Sequence, residues 1–165
     1  MGTSTAGKRG WRAFFDRLTA LERRDLRDIL LEDYAAEIDT AEQVQRHARH
    51  LRWHEEHRQR LLAIAAREAE HARWLREAIE RLGGHVPDLV PVPKDADTNW
   101  ERLMVDRQTE REAYEKFLGD AYELERDHPE IARLLLRISE EEAAHQREIA
   151  ELLARSDRAA LDSKP

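Results

Sequence analysis

The chain contains no cysteine, so disulfides, zinc–thiolate sites, iron–sulfur clusters and cysteine-held iron are all excluded. Glycine and proline are scarce, six and five among 165 residues, and aromatics make up only 6%. No apolar run is long enough to span a bilayer, and no apolar signal-peptide core follows Met1, so neither a membrane partner nor export is expected and the cytoplasm is the expected compartment. The net charge of −7, with signs interleaved along the chain, argues against a nucleic-acid partner. What remains is rich in Ala, Glu, Leu and Arg, a composition that favours long helices, and the length suits one domain with a substantial core.

Residues 1–12 are small, polar and basic at their start and read as a disordered N-terminal segment. Trp11, Phe14, Phe15 and Leu18 form an amphipathic lead-in, and Thr19 with Glu22 reads as a capping box that would open the first long helix. Its apolar stripe runs Leu26, Leu30, Ala41, Val44, Ala48, Leu51. The second stripe, Leu61, Ile64, Ala72, Leu75, Ile79, Leu82, stops at Gly83-Gly84. No glycine or proline separates these two stripes, so a hairpin near Arg52–Trp53 competes with one continuous helix. Residues 83–98 hold three prolines and no helical period, which predicts an extended connection. Fully stretched it would reach roughly 50 Å, enough to run the length of a 30-residue helix of about 45 Å. The third stripe carries Leu103, Ala113, Phe117, Ala121 and Leu124. Asp127-His128-Pro129 marks the next turn, and the fourth stripe carries Ile131, Leu135, Ile138, Ile149 and Leu152. The expected architecture is an all-α antiparallel four-helix bundle over residues 13–155, with a long crossover between helices 2 and 3 and a flexible tail at 156–165.

Charge interrupts every stripe at a position that should face the core. Asp33 and Glu37 interrupt the first, Glu68 and His71 the second, Asp106 and Glu110 the third, Glu142 and His145 the fourth. An unpaired buried carboxylate costs several kcal/mol, so four interior glutamates demand a counter-charge, and two divalent cations would supply it. Glu68-x-x-His71 and Glu142-x-x-His145 each put a carboxylate and an imidazole one turn apart on one face. Such a pair alone is weak evidence, and Glu125-x-x-His128 reads as a coincidence at a helix end. The repeat of a larger pattern is stronger: Glu37 precedes Glu68 by 31 residues, and Glu110 precedes Glu142 by 32. Two hairpins turning near residues 52–53 and 126–127 would bring all six to one level.

Asp33 and Asp106 stand one turn before their glutamates and are expected to accept the outer N–H of a liganding histidine. Without metal, the same residues would form an ion-paired core. Glu112 competes with Glu110 for the third-helix position, and Glu110 is preferred because it aligns with Leu103 and Phe117. His47, His50, His54 and His57 form a further run at helical spacing, read either as a solvated helix end or as a secondary metal site. Trp53, Trp74 and Trp100 lie off or at the edge of the stripes, where exposed tryptophans suggest subunit contacts.

The segments EIDTAEQVQRHA (37–48), EAEHARWLREAIERLGGHVP (68–87) and EEEAAHQREI (140–149) resemble the ligand-bearing helices of ferritin-like di-iron proteins, the bacterioferritin and rubrerythrin branch in particular. The resemblance covers roughly residues 26–154. It implies Glu37 and Glu110 as terminal ligands, Glu68 and Glu142 as bridging ones, and His71 and His145 as one nitrogen ligand per metal. Bacterioferritins carry a haem-ligating methionine directly after the second-helix glutamate; Ala69 stands there, so no haem is expected. Rubrerythrins carry an additional glutamate one turn after the third-helix ligand; that residue is Ala113. The implied activity is a di-iron oxidoreductase that takes Fe(II) with O2 or H2O2, of ferroxidase or peroxidase type, in a homo-oligomer. Oxygen and imidazole ligands suit manganese as well, so a dimanganese catalase-like enzyme and a non-catalytic iron-binding or structural subunit stay open.

Overall fold

The computed structural model describes residues 6–51 and 53–162, with side chains described from Leu26 onward. These residues form five helices: α1 (Ala6–His50), α2 (Glu55–Arg81), α3 (Asn99–Leu124), α4 (Pro129–Arg155) and the short α5 (Arg158–Asp162). α1 packs chiefly on α2 and α3 on α4, so the bundle is two hairpins placed face to face and joined by the crossover. The expected four-helix arrangement with one long connection between the second and third helices is the one observed.

The first hairpin closes without glycine or proline. Leu51 N–H donates to Ala48 O (3.1 Å) and His54 N–H to Leu51 O (2.8 Å), and His54 leaves the helical region at φ −119, ψ 72. Charge marks the break: His47, Arg49 and His50 close α1, while Glu55 and Glu56 open α2, each set complementing its helix dipole. A continuous helix through Trp53 does not form.

Gly83 and Gly84 end α2 as expected. Gly84 N–H returns to Ile79 O and Gly83 N–H to Glu80 O, with Gly83 at φ 73, the left-handed backbone this motif needs. A Cβ on Gly84 would stand 2.7 Å from Ile79 Cγ2, so the second glycine is required by packing. The crossover is pinned as it passes: Val92 N–H donates to Asp39 Oδ1 and Lys94 N–H to Gln43 Oε1. A capping box then starts α3, with Thr98 Oγ1 accepting from Glu101 N–H and Glu101 Oε2 from Thr98 N–H. Pro129 stands in the first turn of α4, where its missing donor costs nothing.

Three boundaries differ from those read in the sequence. α1 is already helical at Ala6, so Thr19 and Glu22 lie within it and do not mark its start. The reason is that propagation adds one bond per residue, and no proline interrupts residues 6–19. The expected disordered segment 1–12 is therefore divided, with residues 1–5 outside the described ones and 6–12 in α1; the side chains of Trp11, Phe14, Phe15 and Leu18 also fall outside them. Within the expected flexible tail 156–165, Arg158–Asp162 form α5, and residues 163–165 lie outside the described ones. Leu161 is buried, Asn99 N–H donates to Asp162 Oδ1, and Asn99 Nδ2 donates to Leu161 O. One apolar residue sufficed to dock the tail, which is too little for a periodicity to reveal.

The apolar core falls into two clusters. One holds Leu26, Leu30, Leu75, Ile79, Phe117, Leu124, Leu135 and Ile138; the other holds Val44, Leu51, Leu61, Ile64, Leu103, Ile149, Leu152 and Leu161. Between them, at mid-height, lies a buried polar layer. Truncating Leu161 to Ala should lower the unfolding free energy by about 2 kcal/mol, the low end for a buried leucine. Urea unfolding checks this, and a change within about 0.5 kcal/mol, as for a surface position, would mean that α5 does not dock.

Candidate dinuclear metal centre

Each candidate ligand sits on a helix interior where the apolar stripe would otherwise continue. Glu37 on α1, Glu68 and His71 on α2, Glu110 on α3, and Glu142 and His145 on α4 are all buried. Glu37, Glu68, His71 and Glu142 offer atoms within 4.8 Å of one another, and so do Glu68, Glu110, Glu142 and His145. The two sets share Glu68 and Glu142. His71 Nδ1 lies 2.9 Å from Glu142 Oε1, 3.2 Å from Glu37 Oε2 and 3.3 Å from Glu68 Oε2. His145 Nδ1 lies 2.6 Å from Glu68 Oε1 and 3.4 Å from Glu110 Oε2, and the two imidazole rings stack at 5.9 Å.

Close approach is not matched by hydrogen bonding. Both oxygens of Glu68, Glu110 and Glu142, together with His145 Nδ1, are buried without a hydrogen bond of acceptable geometry. Orphaned buried acceptors at this density are rare in native proteins, and each calls for an explanation. A pair of cations held between them supplies one, because the chemistry of the donors, oxygen plus one imidazole per set, suits iron or manganese.

The electrostatics of the cluster follow from burial. Burial, then the charges of Glu68 and Glu142, push the Glu37 carboxyl well above the usual range, and the same causes act on Glu110. Glu68 goes the other way: burial raises it, but the imidazoles of His145 and His71 more than offset this and hold it below its ordinary value. Burial disfavours a charged His71, yet Glu142, Glu37 and Glu68 reverse that and raise it above the ordinary imidazole range. The cluster thus keeps protons that a divalent cation would displace.

The six glutamates and histidines picked from the stripes are therefore brought together, and Glu112 is not among them. It is exposed, bound to Lys94 Nζ at 3.2 Å and to Gln108. Asp33 and Asp106 are buried, but neither meets a cluster histidine. Asp33 pairs with Lys116, and burial, opposed by that lysine, raises its carboxyl to about 6. Asp106 Oδ1 lies 2.8 Å from His47 Nδ1 and accepts from Gln43 Nε2 at 2.9 Å. The physical reason is height: one turn displaces a side chain by about 5.4 Å along the axis, so these aspartates face the next layer. The residue beside His71 Nε2 is Glu141, 3.0 Å away through Oε2. Its position next to Glu142 gave no periodic signal, since a charge flanking a stripe reads as a solvated face.

The histidine run splits in the same way. His47 is buried against Asp106, while His57 Nε2 meets Ser156 Oγ at 2.7 Å, and no three of these histidines gather around a common point among the described residues. Trp53 is 55% exposed, but Trp74 packs on the His71 ring at 5.4 Å and Trp100 packs against the second apolar cluster, so two of the three tryptophans serve the interior.

No protein-family model and no curated protein matches the sequence. Solved structures do match the fold. The mycobacterial bacterioferritin structure superposes with a TM-score of 0.74 at 21% identity, covering 84% of this chain and 90% of its own. A ferritin-like, diiron-carboxylate protein from Bacillus anthracis str. Ames gives 0.72 at 24% identity, covering 79% and 96%. The bacterioferritin BfrA of Mycobacterium tuberculosis gives 0.70 at 19%, covering 79% and 84%. The chain has the ferritin-like fold. In ferritin-like terms, α1 and α2 form one hairpin, α3 and α4 the other, and the buried cluster lies between them.

The protons held by the cluster lead to a pH dependence of stability. For Glu37 and Glu110 the folded value is raised, so stability falls as pH rises from about 4.5 toward that value. His71 adds stability that is complete below 6.5 and is lost as pH rises toward its raised value. Above pH 6.5 the loss from His71 continues in the direction that the two glutamates began. After chelation, the unfolding midpoint should fall between pH 6.5 and pH 9, by about 2–4 °C per kcal/mol lost. Thermal melts monitored by circular dichroism measure this, and two equivalents of a divalent cation should flatten the slope.

Proposed function

We propose that this chain is a di-iron oxidoreductase, binding two iron ions between its hairpins and reacting with O2 or H2O2. The observation that carries the reading is the shared cluster: four buried carboxylates and two imidazoles in two overlapping sets, with orphaned oxygens on Glu68, Glu110 and Glu142. The printed descriptions of the structural neighbours, diiron-carboxylate protein and bacterioferritin, favour iron over manganese.

In this reading Glu37 and His71 would hold one ion, Glu110 and His145 the other, and Glu68 and Glu142, common to both sets, would serve both. Four carboxylates carry −4 against +4 from two divalent cations, which removes the cost of burying either alone. Bound as Fe(II), the pair would supply the two electrons that reduce peroxide, or begin the reduction of dioxygen. The protein's part is positional and electrostatic. Glu68, Glu110 and Glu142 would meet the ions with oxygens that no hydrogen bond holds, and Glu37 and Glu110 would give up their protons as metal binds. The two apolar clusters above and below keep bulk water from the layer. Assembly of two or more copies belongs to the same reading, since the crossover offers Val90 and Val92 to solvent.

Anaerobic Fe(II) titration of the chelated protein, followed by exposure to O2 or H2O2, tests the reading. The expected result is two iron ions per chain and rapid loss of Fe(II) with rising near-ultraviolet absorbance. Glu68→Ala and Glu142→Ala should bind neither ion and abolish the rapid oxidation. Binding without oxidation would instead identify an iron carrier, and retention of manganese with catalase turnover would identify the dimanganese alternative. Unchanged iron content in both variants would refute the site.

A further inference from the structure

The two Glu-x-x-His pairs are related by the repeat of the hairpins, yet the residue before each differs: Arg67 precedes Glu68, and Glu141 precedes Glu142. This breaks the equivalence of the two histidines. Glu141 Oε2 lies 3.0 Å from His71 Nε2. Its carboxylate is held in turn by a guanidinium fork, Arg67 Nε to Oε2 at 2.7 Å and Arg67 Nη2 to Oε1 at 2.9 Å, and Arg137 Nε stands 3.4 Å from Oε1. Trp74 closes the face of the same imidazole, with the Arg137 guanidinium 4.1 Å above the indole ring. His71 is therefore fixed at Nδ1, at Nε2 and on its ring face.

Among the described residues His145 has no such support. The position that corresponds to Glu141 on α2 is Arg67, whose guanidinium binds Glu141 across the seam and Glu70 on its own helix. Among the described residues none accepts a hydrogen bond from His145 Nε2, and the side chain retains 9% exposure against none for His71. A carboxylate that accepts from the outer N–H of a histidine fixes the tautomer with its lone pair on the other nitrogen and makes that nitrogen a better ligand. Here that help reaches one metal position only.

We propose that Glu141, clamped by Arg67, is a positioning residue that makes the two metal positions unequal, so that the one served by His71 fills first and holds its ion, while the one served by His145 is the weaker and exchangeable. This rests on the dinuclear reading above. It gives the chain a retained ion beside a labile one, as a centre that passes one metal onward would need.

Co(II) titration of the chelated full-length chain, followed by visible absorption and calorimetry, tests the proposal without relying on activity. The wild type should take up two ions in two unequal steps. Glu141→Ala should weaken the tighter step by about 10–100-fold and leave the other unchanged, drawing the two together. Glu141→Gln, whose amide oxygen still accepts, should recover most of the loss, and Arg67→Gln should weaken the same step by less than Glu141→Ala. Thermal melts of the metal-free variants establish that each is folded. Equal weakening of both steps, no change in either, or two indistinguishable steps in the wild type would overturn the proposal while leaving a dinuclear site intact. A wild type that binds no Co(II), or a Glu142→Ala variant that binds both ions as before, would instead remove the dinuclear reading itself.

Discussion

Four carboxylates buried at one level of a helical bundle impose the constraint around which the rest of this molecule is arranged. Such a layer cannot be packed by apolar neighbours, because an uncompensated buried charge costs more than several leucines return. The core is accordingly split into two apolar clusters, each complete in itself, with the polar layer between them. This division puts a demand on the chain. Each hairpin must turn at a residue that brings its two glutamate-bearing segments to the same height, and the crossover must deliver the second hairpin in register with the first.

Two kinds of contact hold that register, and they lie on opposite seams. On the α1–α3 seam Asp33 of α1 pairs with Lys116 of α3, while Asp106 of α3 pairs with His47 and Gln43 of α1. The same Gln43 accepts from Lys94, so the crossover is tied to the seam it passes. On the α2–α4 seam Arg67 binds Glu141, and Arg60 binds Glu148 and Glu151. The exposed pairs contribute little to stability one by one. The buried ones act differently. Asp106 and His47 have no water to fall back on, so a slip of one hairpin past the other by a turn would strand both. The aspartates that the spacing suggests as partners of the cluster histidines instead fix the height at which the four glutamates meet.

What was legible in the sequence follows from what a helical period encodes. A period gives the face of a residue and its height, so Glu37, Glu68, His71, Glu110, Glu142 and His145 could be placed on a shared layer from spacing alone, and Glu110 could be preferred over Glu112. The period is silent on what lies across the gap at a given azimuth. Successive residues are rotated by about 100°, so Glu141 leaves the stripe that carries Glu142 and reaches the flank of the neighbouring helix. Its partners Arg67 and His71 are on α2, more than sixty residues away in the chain. Trp74 was hidden for the same reason: at the edge of a stripe an indole reads as surface, and only the approach of α4 with Arg137 turns it into a lid on an imidazole. α5 is held by the single buried apolar residue Leu161 and by hydrogen bonds from Asn99, and a single apolar residue carries no period.

The departure from symmetry has a physical logic of its own. A bundle made of two equivalent hairpins tends to give two equivalent metal positions, since each ligand has a counterpart at the same height. One substitution of sign at the residue before each Glu-x-x-His pair is enough to undo this. A carboxylate at both places would set two negative groups beside an already acidic layer. A guanidinium at one and a carboxylate at the other form an internal pair, so this position adds no net charge beside the four interior glutamates. The pairing therefore contributes to burying the layer as well as to orienting His71. It also explains why Arg67 meets Glu141 through a two-point fork at the margin of solvent: a lysine there would supply the charge without fixing the plane of the carboxylate, and it is that plane which aims Oε2 at the imidazole.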